Sequence, residues 1–65
     1  MEERLHPDSS MIEEYAYDDE MQILEVTFCK GGTYSYPGVP EHVFQSMKDA
    51  DSVGRFFLQN IKGSY

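Results

Sequence analysis

The ten residues from Gly31 to Pro40, GGTYSYPGVP, constrain the fold of this chain more than any other segment. Paired glycines accept the positive φ values of a two-residue turn, so Lys30-Gly31-Gly32 is predicted to join two antiparallel strands. Pro37 cannot donate a hydrogen bond to a ladder and should end the second strand. Pro40 and Glu41 then suit a helix N-terminus. The block predicts a change from sheet to helix in the middle of a chain of 65 residues.

Residues 22–29 form the clearest strand, because apolar and polar residues alternate along them. One face of this strand should enter the core. The other face leaves an apolar strip, which is costly on a small monomer and typical of a contact with another protein. We take this strip and the tyrosines of the preceding strand as candidate interface residues: Ile23, Thr27, Cys29, Tyr15 and Tyr17.

Two further strands flank the clearest one. Residues 33–36 place both of their tyrosines on one face. Residues 11–17 carry apolar side chains on both faces, which suits an edge strand. A bulge in that edge strand would let Ile12 and Tyr15 both reach the core.

Two short helices should follow the sheet. The first begins near Glu41 and turns an apolar stripe inward. Asp51 or Ser52 then caps a second helix that runs to about Lys62, and Gly63 stops it. The expected core is Leu24, Val26, Phe28, Tyr34, Tyr36, Val43, Phe44, Met47, Phe57 and Ile61.

These elements predict an α+β fold, in which a three-stranded antiparallel β-meander is followed by two short α-helices packed on one sheet face, in the order β-β-β-α-α. Residues 1–9 show no strand or helix period and are expected to form a flexible tail. Residues 10–65 should form a single domain.

The chain carries an ordered set of short segments: Ser9-Ser10-Met11-Ile12, Tyr17-Asp18, Leu24-Glu25-Val26-Thr27-Phe28, Tyr34-Ser35-Tyr36, Val39-Pro40, Ser52-Val53-Gly54-Arg55-Phe56-Phe57 and Ile61. This set resembles the KTSC family, the small domain named for its occurrence at the C-terminus of some lysyl-tRNA synthetases. The resemblance implies that residues 10–65 are a KTSC-like domain. It implies no settled activity, although RNA binding has been proposed for KTSC domains generally.

The net charge is −7, and all of the excess lies in residues 1–20, which hold eight acids and Arg4. An acidic surface repels phosphate and removes the counterion release that dominates nucleic-acid affinity. Nucleic-acid partners are therefore disfavoured. The acids either keep a tyrosine-rich protein soluble or block a basic site on a partner enzyme, as an acidic inhibitor would.

A chain this short needs support beyond its own core. Cys29 is the only cysteine and cannot form an intrachain disulfide, and its spacing to His6 and His42 matches no metal site. Self-association, most simply as a homodimer, is the expected stabiliser. No apolar run approaches a membrane span, so we expect a cytoplasmic protein without a membrane partner or a cofactor.

Two groups of residues are candidates for binding. The four tyrosines of the flanking strands either complete the core or form an exposed platform for stacked bases: Tyr15, Tyr17, Tyr34 and Tyr36. The scarcity of other large apolar residues favours the core. Ser52 and Gly54 open a helix whose N–H groups could meet an anion, with Arg55 adding charge. Alternatively, Gly54 permits close packing against the Gly31-Gly32 turn or Tyr36, and Arg55 pairs with Asp51.

No catalytic residues are predicted, because His6, His42 and Cys29 have no partner at a recognisable spacing. The sequence favours a small noncatalytic interaction domain that self-associates or binds protein. One alternative is binding of RNA or single-stranded nucleic acid through Tyr34, Tyr36 and Arg55, with Lys48 and Lys62 adding phosphate contacts. The other alternative is the acidic inhibitor.

Overall fold

The structure is a computed structural model that describes residues 2–65. Four strands form one antiparallel sheet in chain order, and two helices follow. The α+β class and the order of sheet before helices are confirmed, whereas the prediction of three strands is wrong. The elements are β1 (Glu2–Leu5), β2 (Ile12–Asp18), β3 (Ile23–Phe28), β4 (Thr33–Pro37), α1 (Glu41–Asp49) and α2 (Val53–Asn60).

The additional strand, β1, lies within the segment that was expected to be a flexible tail. It pairs antiparallel with β2, from Glu2 opposite Asp18 to Leu5 opposite Tyr15. The tail prediction is therefore corrected for residues 2–5, and Met1 lies outside the described residues. β2 becomes an internal strand instead of the predicted edge.

Ion pairs explain how such a charged segment joins the sheet. The Arg4 guanidinium donates to the Glu14 carboxylate on β2, and Lys48 Nζ on α1 donates to Glu3 Oε2 at 2.8 Å. A backbone ladder and ion pairs need no apolar alternation. The hydrophobic pattern therefore gave no sign of this strand.

The predicted bulge in β2 is confirmed. The β2–β3 register shifts between Ile12 and Glu14, so that Ile12 faces Phe28 while Tyr15 faces Val26. Both Ile12 and Tyr15 are buried in the core. Ile12 and Tyr15 would point to opposite faces of a regular strand. The extra residue of the bulge brings both side chains to the same face.

Both helices cover one face of the sheet. Tyr17 on β2 stacks on Phe44 of α1 with ring centroids 4.6 Å apart, and its hydroxyl donates to the Val39 carbonyl at 2.6 Å. Tyr15 meets the same Phe44 ring edge-on. Tyr15 and Tyr17 are each only 2% exposed because α1 covers them, so the favoured prediction that they complete the core is confirmed. Their prediction as interface residues is wrong.

The outer face of the sheet is polar, and the predicted apolar strip is interrupted. Arg4 bonds to the Glu2 and Glu14 carboxylates. Its guanidinium also lies 3.8 Å from the Glu25 carboxylate, and this ion pair spans the buried Ala16, which pairs with both residues in the sheet. Glu25 lies between Ile23 and Thr27, the two strip residues that belong to β3. The outer face therefore lacks the continuous apolar surface that an interface through Ile23, Thr27 and Cys29 requires.

The β3–β4 connection differs from the predicted two-residue turn. It spans Cys29–Gly32, and Phe28 N–H donates to the Gly32 carbonyl at 3.0 Å. Neither Gly31 nor Gly32 has a positive φ, whereas Gly38, in the turn after β4, has φ 74°. The glycine that needs its conformational freedom is therefore Gly38, which redirects the chain from the sheet into α1.

Candidate functional site

An apolar cleft lined by aromatic rings lies between β4 and α2, and we call it the aromatic cleft. Its volume is about 340 Å³. The lining comes from five separate segments: the residue before β2, the end of β3, β4, α2 and the turn after α2. The lining residues are Met11, Phe28, Tyr34, Tyr36, Phe57, Leu58 and Lys62.

Four rings of the cleft contact one another edge to face. Phe28 lies 5.7 Å from Tyr34 and 5.3 Å from Phe57, and Phe57 lies 5.4 Å from Tyr36, measured between ring centroids. Pairing with β3 sets Tyr34 opposite Val26 and directs both tyrosines to the helix-covered face. Edge-to-face contacts fix the ring orientations, so the cleft wall is formed before any ligand arrives.

The outer part of the cleft is exposed to solvent. Tyr34 is 55% exposed and Leu58 is 49% exposed, while Phe57 is fully buried. Tyr36 is partly buried. Burial is the main cause that raises the pKa of its hydroxyl, and the nearby Tyr34 raises it further. The prediction of Tyr34 as core is therefore wrong. β4 is an edge strand, and the helices do not cover Tyr34, which lies close to the β3–β4 connection.

Charge is unevenly placed around the aromatic cleft. Lys62 is the one residue of the lining that carries a full charge at neutral pH. The acidic turn 18–20 lies at the opposite end of the sheet, where Asp18 pairs with both Glu2 and Ile23. The strongly acidic character of the chain therefore does not extend into the cleft.

The structure does not bring Ser52 and Arg55 to the tyrosines. Ser52 and Arg55 instead line a shallow depression at the α1–α2 connection, together with Asp51 and Phe56. Ser52 Oγ caps α2 by accepting the Arg55 N–H at 3.2 Å. The Arg55 side chain forms no ion pair within residues 2–65, so its predicted pairing with Asp51 is not observed.

Gly54 has a packing role. A Cβ at this position would lie 3.3 Å from both Met11 Cε and Ser9 Oγ. The Ser9 hydroxyl is itself fixed, because it accepts the N–H groups of Met11 and Ile12 at 3.1 Å each. The predicted close approach is confirmed, but the neighbour is the segment before β2, not the Gly31-Gly32 turn or Tyr36.

The fold does not bring Cys29 and His6 together or place either of them in the aromatic cleft. Cys29 is exposed, and its Sγ lies 3.9 Å from the Ser9 carbonyl oxygen. His6 Nε2 lies 2.8 Å from Glu14 on the outer face. Within residues 2–65, no three His, Cys, Asp or Glu side chains are grouped to hold a metal, and no helix is long and apolar enough to cross a membrane.

The sequence pointed to Tyr34, Tyr36 and Lys62 as binding residues, but it did not identify Met11 or Leu58 as part of the cleft. Leu58 gave a usable signal, since it is a large apolar residue outside the inward stripe of Phe57 and Ile61. Met11 gave none, because only the tertiary fold brings the segment before β2 next to α2 and β4.

Comparison with known proteins gives a consistent family. The KTSC domain family model matches residues 8–65. A KTSC domain protein from Yersinia pestis has a crystal structure that superposes with a TM-score of 0.93 at 42% identity, covering 98% of this chain and 90% of that one.

Two relatives show the range of contexts. A protein of Stutzerimonas stutzeri (strain A1501) described as uncharacterized is 48% identical over 54 residues, which are 83% of this chain and 76% of that protein. A lysine–tRNA ligase of Trichormus variabilis (strain ATCC 29413 / PCC 7937) is 38% identical over 61 residues, or 94% of this chain. The match spans only 11% of the ligase.

Proposed function

The chain belongs to the KTSC domain family, and we propose that it is a noncatalytic interaction domain whose aromatic cleft receives an apolar side chain from an extended segment of a protein partner. One observation carries this proposal. Tyr34 and Leu58 remain about half exposed over a cleft whose inner rings are locked by core contacts. Exposed large apolar groups around a formed concavity are typical of a binding surface.

The energetic argument rests on preorganisation. Phe57 is held between Phe28 and Tyr36, so binding does not have to order these rings. Covering Tyr34 and Leu58 then gains roughly 25 cal/mol for each Å² of apolar surface removed from water. Because the cost of ordering the wall is already met by folding, more of that gain appears as affinity.

The lining residues support a binding role over a catalytic one. Of its members, only the tyrosine hydroxyls and Lys62 can exchange protons, and neither is paired with a carboxylate or an imidazole in the cleft. General acid–base or nucleophilic chemistry needs a second group within hydrogen-bond reach. An apolar wall with one cation at its rim suits recognition of a side chain.

Nucleic-acid binding is the second candidate, favoured by one specific observation. The exposed Tyr34 ring lies in the same cleft as Lys62, which together provide a stacking surface and a phosphate contact. The similarity to a lysine–tRNA ligase adds support, but the chain spans 11% of that enzyme. Arg55 lies outside the cleft, and a net charge of −7 opposes the approach of a polyanion.

The acidic inhibitor is a weaker third candidate. Glu2, Glu3, Asp19 and Glu41 line one depression of about 210 Å³ beside Tyr17. Such a surface would oppose a basic cleft on another protein. It involves none of the aromatic cleft, so a partner held there would be insensitive to changes at Tyr34.

Site-specific photocrosslinking in cells tests the proposal. A photoreactive phenylalanine analogue replaces Tyr34, and the matched control carries it at Met21, which is 65% exposed at the acidic end of the sheet. We expect discrete protein adducts from position 34 that disappear with Leu58→Lys and are absent from position 21. Nuclease-sensitive adducts at position 34, or the same adducts from both positions, would contradict protein binding by the cleft.

A further inference from the structure

The strand β4 is an edge of the sheet, and half of its backbone groups face away from β3. The Phe28 N–H bond to Gly32 marks 28/32 as a hydrogen-bonded pair. In an antiparallel ladder such pairs alternate, so the pairs of Tyr34 with Val26 and Tyr36 with Leu24 are also hydrogen-bonded. The N–H and C=O groups of Ser35 and Thr33, and the C=O of Pro37, therefore point outward.

This edge also carries no charge. The sequence of β4 is TYSYP, in a chain whose net charge is −7. Exposed edges are commonly blocked by charged side chains or by proline. Pro37 lies at the last position of β4, where its missing N–H leaves the outward donors of Thr33 and Ser35 untouched. The edge is thus restricted in register but still open to pairing.

We propose that two copies of the chain pair antiparallel through their β4 edges, centred on Ser35, to form one continuous eight-stranded sheet. This inference rests on the proposed function, because it makes a second copy of this chain the occupant of the aromatic cleft. Ser35 N–H of each copy donates to Ser35 C=O of the other. Thr33 N–H of each copy donates to Pro37 C=O of the other, so proline stands where a carbonyl alone is needed.

The same register accounts for the exposed tyrosine. With Ser35 opposite its counterpart and Thr33 opposite Pro37, Tyr34 of one copy lies directly opposite Tyr36 of the other on the helix-covered face. Directly opposed side chains in non-hydrogen-bonded pairs contact closely, and aromatic pairs are among the favourable ones. Each exposed Tyr34 is then covered, next to the Leu58 that lines the same cleft.

Charge placement favours the antiparallel arrangement. The acidic turn 18–20 lies beyond the Pro37 end of β4, since Ile23 pairs with both Pro37 and Asp18. Lys30 lies in the connection at the Thr33 end. Antiparallel pairing brings the acidic end of one copy to the Lys30 end of the other, and a parallel pairing would align the acidic ends.

Sedimentation velocity over a concentration series tests this inference. We expect a reversible monomer–dimer equilibrium in the micromolar range, as suits a short strand interface. Tyr34→Lys should weaken the dimer at least about tenfold, although it lowers the net negative charge. Met21→Lys makes the same change of charge at the far end and should leave the equilibrium within about twofold.

A second pair of variants addresses the backbone bonds directly. Ser35→Pro removes the outward N–H and should abolish the dimer, whereas Ser35→Ala keeps that N–H and should retain it. Thermal unfolding monitored by circular dichroism establishes whether each variant is folded. If Ser35→Pro does not fold, Tyr34→Lys alone tests the interface.

Two results would overturn the inference: a wild-type chain that is monomeric throughout the series, or a dimer that is indifferent to Tyr34→Lys. A monomer that still gives discrete protein adducts from position 34 would refute the dimer while leaving the proposed function standing. A dimer that loses its self-adducts with Leu58→Lys supports both.

Discussion

Tyr17 and Tyr34 project from the same face of the sheet but have opposite environments. Tyr17 lies on the internal strand β2, where α1 stacks Phe44 on its ring and Val39 accepts its hydroxyl. Tyr34 lies on the edge strand β4 and is 55% exposed. Alternation along a strand predicts which face a residue takes. It cannot show whether a helix reaches far enough to cover that residue, which is why Tyr34 was wrongly predicted as core and Tyr17 was wrongly predicted as an interface residue.

Gly54 is the residue at which local preference and tertiary packing disagree most. Gly54→Ala should gain up to about 1 kcal/mol of helix propensity in α2. The new Cβ would meet Ser9 Oγ at 3.3 Å, and that oxygen is fixed by two backbone N–H groups. Overpacking of this kind costs roughly 1–3 kcal/mol, so we expect a net loss of stability.

Chemical denaturation measures the effect of Gly54→Ala. Gln59→Ala, at an exposed position of the same helix, is the control and should change the free energy of unfolding by less than about 0.5 kcal/mol. A higher denaturation midpoint for Gly54→Ala would show that Met11 and Ser9 yield to the added methyl group, and that the close approach is not a constraint.

At the scale of elements, the sheet-to-helix order was predictable and β1 was not. Leu24 and Val26 alternate with polar residues, and Pro37 ends β4 as expected. The helices were predictable from their apolar stripes and from the Ser52 cap. β1 has the sequence EERL and is held by a ladder and by ion pairs to residues 10 and 45 positions away. Contacts of that kind leave no local pattern.

The ion pairs of β1 predict a pH-dependent attachment. The hydrogen bond from Arg4 lowers the pKa of Glu14 from its ordinary 4.5. A carboxylate whose pKa is lower in the folded state stabilises the fold above its ordinary pKa, and this contribution is lost as the pH falls through the lowered value. We therefore expect β1 to loosen at acidic pH before the rest of the sheet.

Amide hydrogen exchange, expressed as protection factors, measures this loosening. Protection of the β1 amides should fall as the pH drops below the ordinary pKa of Glu14 and through its lowered value, while β3 remains protected. Arg4→Gln should remove most of the difference between neutral and acidic pH. Protection in β1 that persists until the whole domain unfolds would show that the ladder alone holds this strand.

At the scale of the molecule, the sequence predicted the asymmetry of charge but not the cleft. The acids of residues 1–20 become the acidic turn, β1 and β2, so a separation along the chain becomes a separation in space. The aromatic cleft is assembled from five segments, which only the tertiary fold brings together. The family resemblance pointed to Tyr34 and Tyr36 but not to Leu58 or Lys62, which complete the surface.

The central claim is that the chain meets its protein partner through the aromatic cleft and the open edge of β4. Hydrogen exchange of the Thr33 and Ser35 amides tests it most directly, because both N–H groups face outward and have no acceptor within the sheet. We predict rapid exchange of these two amides at low concentration and strong protection as copies associate, with Tyr34→Lys restoring rapid exchange. Rapid exchange at every concentration, or protection that appears instead along the outer face around Glu25 and Thr27, would contradict the account.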